Sequence, residues 1–286
     1  MLQLREKALE LIKGGYDLHT HTTPSHFKRV LDDLQIVKEA DDIGMAGVML
    51  KNHYEPTGAR AELINRISNI KAKAYGGLVL NWPVGGLNPY AVESALKMGA
   101  RIVWMPTRDS ENSLIYGDMP GDFFKRSGIT VFSKQKALLP VIYEIFEVVK
   151  KYDSFLATGH LSPEQSVLLC KEGRKMGVSM ILTHPEWERT VVDLQTQLDL
   201  ADLGVLIEKN WLNIAEGQVS AAKVAESMHR LGPGRVFMAT DRGQSGMEHP
   251  AEAMLRFIET MLAQDIPVQH IHDMVCTVPM SIVKEN

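Results

Sequence analysis

The chain has 286 residues, of which 45% are hydrophobic and 23% charged, and its formal net charge at pH 7 is -4. These proportions are typical of a soluble globular protein and exclude a disordered chain, a collagen-like repeat and a coiled coil. The slight acidity, with no dense run of Lys and Arg, gives no reason to expect nucleic acid or a membrane surface as a partner.

Cysteine usage and the N-terminal segment bear on the compartment. Cys170 and Cys276 fall in apparent helices, and we expect them to be buried free thiols of a reducing compartment. The first residues are charged and lack the apolar core of a signal peptide, and no stretch approaches about 18 uninterrupted apolar residues. The sequence therefore predicts a cytoplasmic protein without a membrane span.

Eight short apolar runs, rich in β-branched residues, alternate with longer segments of helical periodicity. Such runs between helices are typical of buried parallel strands. The predicted strands are Tyr16–His19, Gly47–Leu50, Gly77–Leu80, Arg101–Met105, Phe155–Thr158, Ser179–Thr183, Gly204–Ile207 and Arg235–Ala239.

The segments between these runs carry helix signals at the expected places. Ser162-Pro163 predicts an N-cap followed by proline in the first turn, and Asn88-Pro89 predicts a second such start. Eight βα units in succession predict an α/β fold, a single (β/α)8 TIM-type barrel domain over residues 1–286. That fold commonly uses about 250 residues.

The interval between the fourth and fifth strands is longer than the others. It contains a polar, glycine-rich stretch and then a predicted β-hairpin, Ile129–Ser133 returning at Ala137–Leu139. We interpret residues 108–134 as an insertion between strand four and helix four. It is either a lid over one end of the barrel or an ordinary surface excursion.

The first strand ends in Asp17-Leu18-His19-Thr20-His21. Because residues i and i+2 of a strand point to the same side, both imidazoles are expected at the C-terminal mouth of the barrel, where barrel active sites lie. Two neutral imidazoles there could bind one divalent metal. Taken alone, the motif is explained at least as well by paired surface histidines.

Three further strands end in residues of the metal-ligand type. His160 follows the fifth strand, His184 the sixth and Asp241 the eighth. Since the C-terminal ends of parallel strands meet at one end of a barrel, these side chains are expected near His19 and His21. Agreement at so many strand ends is improbable by chance, and the sequence therefore predicts a metal site.

This arrangement of His19-X-His21, His160, His184 and Asp241 resembles the metal-dependent amidohydrolase superfamily. The resemblance implies a deformed barrel, one or two divalent metals, and hydrolysis at carbon or phosphorus centres. It implies that His19, His21 and His160 are ligands. It also implies that His184 binds a second metal or polarises the substrate, and that Asp241 is ligand and general base. Three other stretches look like an uncharacterised branch of the superfamily: 51–53, 85–89 and 104–107.

One position departs from the superfamily pattern. Two-metal members carry a bridging carboxylated Lys or a Glu at the end of strand four, where this chain has Thr107. Asp109 is a weak substitute two residues further on, and Lys51 ends strand two instead. A one-metal site is therefore favoured over a bridged pair.

A second resemblance, to PHP-type phosphoesterases, remains as the alternative. That family usually has Asp-His at strand two and a Glu after strand three, where this chain has Asn52-His53 and Asn81. The missing carboxylates would weaken a three-metal cluster, so this interpretation ranks second. In either interpretation, His53 and Lys51 are candidates for an additional ligand or a substrate contact.

The expected ligands suit Zn²⁺ best, with Mn²⁺ or Fe²⁺ as alternatives. Arg29, Arg108 and Arg242 lie near the expected mouth and would suit a carboxylate or phosphate of a small-molecule substrate, unless they are solvated loop charges. The sequence thus predicts a metal-dependent hydrolase of a small anionic metabolite (an amide, cyclic amide, ester or lactone), with Asp241 as general base for metal-activated water. Its alternatives are a phosphoesterase, a metal-dependent decarboxylase or lyase, and a non-catalytic metal-binding barrel. Homo-oligomerisation is left open.

Overall fold

Eight parallel strands follow one another in chain order around a nearly closed barrel, each hydrogen-bonded to the next. The computed structural model describes residues 2–117, 119 and 125–284. The predicted TIM-type barrel is thereby confirmed. The strands are β1 (Tyr16–Thr20), β2 (Gly47–Leu50), β3 (Lys73–Val79), β4 (Ala100–Trp104), β5 (Phe155–Ala157), β6 (Ser179–Leu182), β7 (Leu206–Asn210) and β8 (Val236–Ala239).

Helices connect the strands and surround the barrel. Among the described residues, none of them is both long enough and apolar enough to cross a membrane. The helices are α1 (Leu2–Leu11), α2 (Asp33–Asp42), α3 (Gly58–Ile67), α4 (Pro89–Lys97), α5 (Glu111–Ile115), α6 (Pro140–Lys151), α7 (Pro163–Lys175), α8 (Leu194–Asp202), α9 (Trp211–Ala215), α10 (Ala221–Leu231), α11 (Pro250–Ala263), α12 (Val268–His272) and α13 (Val278–Val283).

Both predicted helix starts are confirmed by side-chain caps. The Ser162 hydroxyl accepts a hydrogen bond from the Gln165 N–H at the start of α7, and the Asn88 side chain accepts from the N–H groups of Tyr90 and Ala91 at the start of α4. These bonds satisfy backbone donors that a helix leaves unpaired in its first turn.

The end of β7 differs from the prediction. The apolar run stops at Ile207, yet the strand continues through Glu208, Lys209 and Asn210, which pair with β8 up to Ala239. All three polar side chains are buried, and Lys209 binds Gln197 Oε1 at 2.7 Å. An apolar run cannot reveal a strand end whose polar groups find partners only in the folded barrel.

A layer of side chains fills the barrel below its mouth. Val278, Ile282 and Val283 of α13 pack against this layer from the opposite end. The layer therefore forms an apolar floor beneath the C-terminal mouth. Its strand residues are Tyr16, Leu18, Met49, Val79, Ile102, Trp104, Ala157, Ile181, Phe237 and Ala239.

An irregularity in β1 sets the direction of its last side chains. Asp17 pairs with Val48 of β2, whereas Thr20 pairs with Leu50, so β1 carries one extra residue, as in a β-bulge. Leu18 belongs to the interior layer, and the ring of the next residue, His19, lies 6.0 Å from the Trp104 ring of that layer. Two consecutive side chains thus face the barrel interior.

Hydrogen bonds between β1 and the residues after β8 close the barrel at its mouth. The Asp241 N–H donates to the His19 carbonyl and the His21 N–H donates to the Arg242 carbonyl, each at 2.8 Å. The buried Asp17 carboxylate accepts from the Thr240 N–H at 3.1 Å. These bonds hold the ends of the first and last strands together.

The predicted insertion is described only in part. It contains the short helix α5, and the predicted hairpin is limited to one antiparallel bridge between Phe132 and Leu138. Residues 118 and 120–124, at its centre, lie outside the described residues. The lid interpretation therefore stays a prediction.

Candidate metal centre

A cavity of about 480 Å³ opens at the C-terminal mouth of the barrel. Four histidines and a carboxylate line it, and they come from different strand ends or the loops that follow them. These residues are His21, His53, His160, His184 and Asp241.

The most compact group of ligand-type atoms lies at the β1–β8 closure. His21 Nε2 is 3.0 Å from Asp241 Oδ1, and His19 Nε2 is 3.1 Å from the same oxygen. The three side chains are buried and form a candidate metal-binding group. The structure thus brings together three of the residues selected from the sequence.

The other ring nitrogen of each histidine is held by a hydrogen bond. His19 Nδ1 lies 2.5 Å from Glu208 Oε1, and His21 Nδ1 lies 3.0 Å from the Lys51 carbonyl oxygen. In the neutral tautomer that donates its Nδ1 proton to these acceptors, each ring has its Nε2 lone pair directed toward Asp241. Such outer hydrogen bonds commonly orient metal-binding histidines.

Two imidazole nitrogens, each about 3 Å from one carboxylate oxygen, form a donor set that a divalent cation would stabilise, because it would offset the repulsion between their lone pairs. Burial by itself lowers the pKa of His19, but the Asp241 and Glu208 carboxylates outweigh it and raise that pKa to about 9. Burial and the nearby Arg29 charge hold the pKa of His21 well below its usual value. Without a metal, this pKa leaves a proton on His19 that Asp241 can accept in a hydrogen bond. When that proton is displaced, two imidazoles and a carboxylate form a donor set of the zinc type.

His184 and His160 lie beside this group on the β6 and β5 side. His184 Nε2 is 3.5 Å from Asp241 Oδ2, and the His184 and His160 rings are 5.5 Å apart. Burial lowers the pKa of His184 to about 4, so the ring is neutral at physiological pH. The two oxygens of Asp241 therefore face different histidines, His19 and His21 on one side and His184 on the other.

Backbone geometry marks two of these positions. His184 and Asp241 have φ values of 54° and 52°, in the left-handed region that side chains other than glycine rarely adopt. Strained conformations of this kind concentrate at functional sites. Nothing in the sequence around His184 or Asp241 predicts this left-handed backbone conformation.

His53 lies in the same cavity but has its own partner. Its Nδ1 is 2.9 Å from Thr107 Oγ1, and that hydroxyl accepts a hydrogen bond from Asn81 Nδ2 at 2.8 Å. The His53 ring also stacks on His21, with centroids 4.9 Å apart. Thr107 therefore supports His53, at the position where two-metal relatives of the predicted type carry a bridging residue.

The Asp109 carboxylate and the Asn52 amide, near strands two to four, bind other partners than the candidate ligands. Asp109 binds Arg126 and accepts from the Trp82 N–H, and the Asn52 amide donates to the Pro24 carbonyl. None of these contacts adds a negative ligand near His19. They give no support to a three-metal cluster of the PHP type.

Lys51 enters the site from the end of β2. Its Nζ lies 2.9 Å from His19 Nε2 and 5.4 Å from the centre of the Trp104 ring. Burial lowers the pKa of this lysine to about 8. The structure thus places the Lys51 amine beside the candidate ligands.

The three arginines selected from the sequence are placed differently. Arg29 and Arg108 line the cavity. Arg242 instead pairs with Glu216 and Glu248, at 3.3 and 3.4 Å, and is not among the lining residues. Its amino groups pair with carboxylates of other loops, and its role as a substrate contact stays a prediction.

The sequence places the Glu208 carboxylate at the rim after the apolar run of β7, as a possible partner for one of the nearby cations, but it gives no signal for the contact with His19 Nδ1. We expect Glu208→Gln to weaken metal binding by about 10–100-fold, because an amide orients and polarises the His19 ring less than a carboxylate does. Titration with a chelating metal indicator measures this change. Glu62→Gln, on an exposed helix surface, is the control, and equal affinities for both variants would contradict the assignment.

Comparisons with known proteins agree with this architecture. A family model described as "Family of unknown function (DUF6282)" matches residues 14–208. No curated protein matches the sequence.

Solved structures with the same fold span nearly the whole chain. An amidohydrolase from Pseudomonas aeruginosa has a TM-score of 0.66 at 11% identity, covering 98% of both chains. The probable dipeptidase PvdM from the same organism has a TM-score of 0.68 at 10% identity, covering 99% of this chain and 98% of its own. The TatD homologue YjjV from Escherichia coli K12 has a TM-score of 0.59 at 14% identity, covering 95% and 98%.

At such identities the likeness establishes the fold, and the resemblance to amidohydrolases inferred from the motifs is confirmed at that level. The family model covers more than half of the sequence and includes β1 to β6 with the His19-X-His21 motif, His160 and His184. The chain therefore belongs to the DUF6282 family and has the barrel fold of amidohydrolase-superfamily structures.

Proposed function

We propose that this protein is a metal-dependent hydrolase of a small anionic metabolite, acting on an amide, cyclic amide, ester or lactone. The observation that carries the proposal is the buried group at the barrel mouth. There His19 Nε2 and His21 Nε2 lie within about 3 Å of one Asp241 oxygen, an arrangement that binds divalent metals.

Zinc is the preferred ion, with manganese or iron as alternatives, because imidazole and carboxylate ligands suit these metals. His19, His21 and Asp241 would hold the first ion. His160 and His184 are the candidates for completing the site or holding a second ion. When bound, such a metal supplies a Lewis acid that can lower the pKa of water from 15.7 to about 7.

Asp241 is the proposed general base. Burial alone would raise its pKa, but the adjacent His19 and His21 hold the pKa of this carboxyl well below its usual range. It therefore stays ionised at neutral pH, and its Oδ2, which faces the cavity side occupied by His184, is the atom proposed to accept a proton from the attacking water. It can then return that proton to the leaving group.

His184 is the proposed partner for negative charge that develops on the substrate. Its ring is buried, lines the cavity and is neutral at physiological pH, so its single ring N–H can donate a hydrogen bond to a developing oxyanion. A metal-dependent decarboxylase or lyase would use the same ligands, and it differs from a hydrolase in its products.

The proposal is tested by metal content together with product analysis. We expect about one divalent ion per chain in freshly purified protein, measured by inductively coupled plasma mass spectrometry. A panel of anionic amides, lactones, esters and aryl phosphates, followed by mass spectrometry of the products, should show addition of water to a carbonyl substrate. Folded protein that neither contains nor takes up metal would rule the proposal out. Phosphate release alone would favour the phosphoesterase, and loss of CO₂ the decarboxylase.

A further inference from the structure

The walls of the cavity differ in chemistry on its two sides. On the β1–β2 side, the Phe27 ring lies 6.2 Å from the His53 ring, and the Arg29 and Arg108 guanidinium carbons lie 5.4 and 4.0 Å from the Phe27 ring centre. All of these residues line the cavity. This wall, which we call the cationic wall, consists of Phe27, Arg29 and Arg108.

Two apolar side chains, Trp187 and Leu212, also line the cavity, together with the polar Glu216 and Gln218. The Trp187 ring lies 4.9 Å from the His160 ring and 5.6 Å from the His184 ring, and Leu212 lines the cavity with it. Trp187 and Leu212 form what we call the apolar wall.

Within the cationic wall, the Arg29 side chain has a buried hydrogen-bond donor that could bind an anionic ligand. Its Nε is buried without a hydrogen-bond partner among the described residues. A buried guanidinium N–H without an acceptor is unfavourable, so an anion that accepts a hydrogen bond from this Nε–H would stabilise the site.

The position of the Arg29 backbone is fixed independently of any ligand. The Arg29 backbone forms an antiparallel β-bridge with Gln244. The Val30 N–H donates a hydrogen bond to the Gly243 carbonyl at 3.0 Å. The segment after β1 is thus tied to the segment after β8, which carries Asp241. This arrangement fixes the Arg29 backbone beside the segment that carries Asp241 of the candidate metal group.

We propose that Arg29 anchors the substrate through a carboxylate or phosphate group that is separate from the bond to be cleaved, with the apolar part of the substrate against Trp187 and Leu212. The inference rests on the proposed function and names its substrate class: a small amphiphilic anion. A planar guanidinium can donate two parallel hydrogen bonds to either acid group.

The test is equilibrium binding of three probes to the purified protein by isothermal titration calorimetry. Phenylacetate and phenylphosphonate carry the anion, and phenylacetamide is the neutral comparison. We expect phenylacetate or phenylphosphonate to bind at least about tenfold more tightly than phenylacetamide, which is a typical gain for a hydrogen bond to a charged group. The tighter of the two anions identifies the natural acid group as carboxylate or phosphate.

The variants decide which residue provides this preference. Arg29→Gln should abolish the preference for the anion and leave phenylacetamide binding unchanged, whereas Trp187→Leu should weaken all three probes. Arg66→Gln removes the same charge from an exposed helix and should behave as the unaltered protein. An equal preference in Arg29→Gln and Arg66→Gln would overturn the inference.

Repeating the titrations after chelator treatment separates this inference from the proposed function. A preference that depends on Arg29 both with and without chelation supports the anion anchor, even if no hydrolysis is found. A preference that disappears on chelation and does not respond to Arg29→Gln would mean that metal binds the acid group. That result would overturn the anchor while leaving the proposed function intact.

Discussion

Asp241→Asn is expected to lower kcat by about 10³-fold while most of the bound metal is retained. The amide keeps an oxygen at the position that faces His19 and His21, but it cannot accept the proton of the attacking water. General acid–base groups typically contribute 10²–10⁴-fold to rate, so the expected loss lies within that range. Steady-state kinetics on a substrate found by the panel, with metal analysis of the same preparation, measure both quantities.

Asp202→Asn is the matched control, because this exposed carboxylate pairs with Arg235 far from the mouth of the barrel. It should retain full turnover and full metal content. If Asp241→Asn kept more than about a tenth of the activity, the proton transfer would have to be assigned to another group. If it lost its metal, Asp241 would be mainly a ligand.

Gly243→Ala is expected to destabilise the protein by on the order of 3 kcal/mol and to disturb metal binding, through a combination of overpacking and backbone strain. A Cβ at this position would lie 1.8 Å from the His21 carbonyl oxygen, and the residue has a φ of 125°, which favours glycine. The atoms in contact are backbone atoms of a candidate ligand, so relief of the clash must displace residue 243, His21 or both.

Gly234→Ala is the comparison, since a Cβ there meets no atom within 4 Å and the backbone does not require glycine. Its unfolding free energy should stay within about 0.5 kcal/mol of the parent value. Chemical denaturation and metal content measure both variants. Equal stabilities and equal metal contents would show that the end of β1 tolerates displacement.

Most of the site residues that could be predicted from the sequence lie at the ends of predicted strands. His19, His21 and Asp241 each follow an apolar run, and a parallel barrel brings all such ends to one mouth. The helix N-caps at Ser162 and Asn88 could also be predicted from the sequence, because each depends on neighbours within a single helical turn.

Other parts of the site depend on contacts between residues that are distant in the chain. Glu208 holds His19 across 189 positions, and Arg242 is neutralised by carboxylates of other loops. Neither partner follows from a local pattern, since each is decided by which loops meet at the mouth.

The sequence by itself therefore determined the barrel, the end of it that carries the chemistry, and the residue types gathered there. Only the tertiary structure decided that a bulge in β1 turns both Leu18 and His19 inward, and that closure against β8 brings His19 and His21 onto one oxygen of Asp241. The physical reason is that strand periodicity fixes only which side of the sheet a residue faces. The distances between ligand atoms are set by backbone pairing and by buried hydrogen bonds that form when the first and last strands meet.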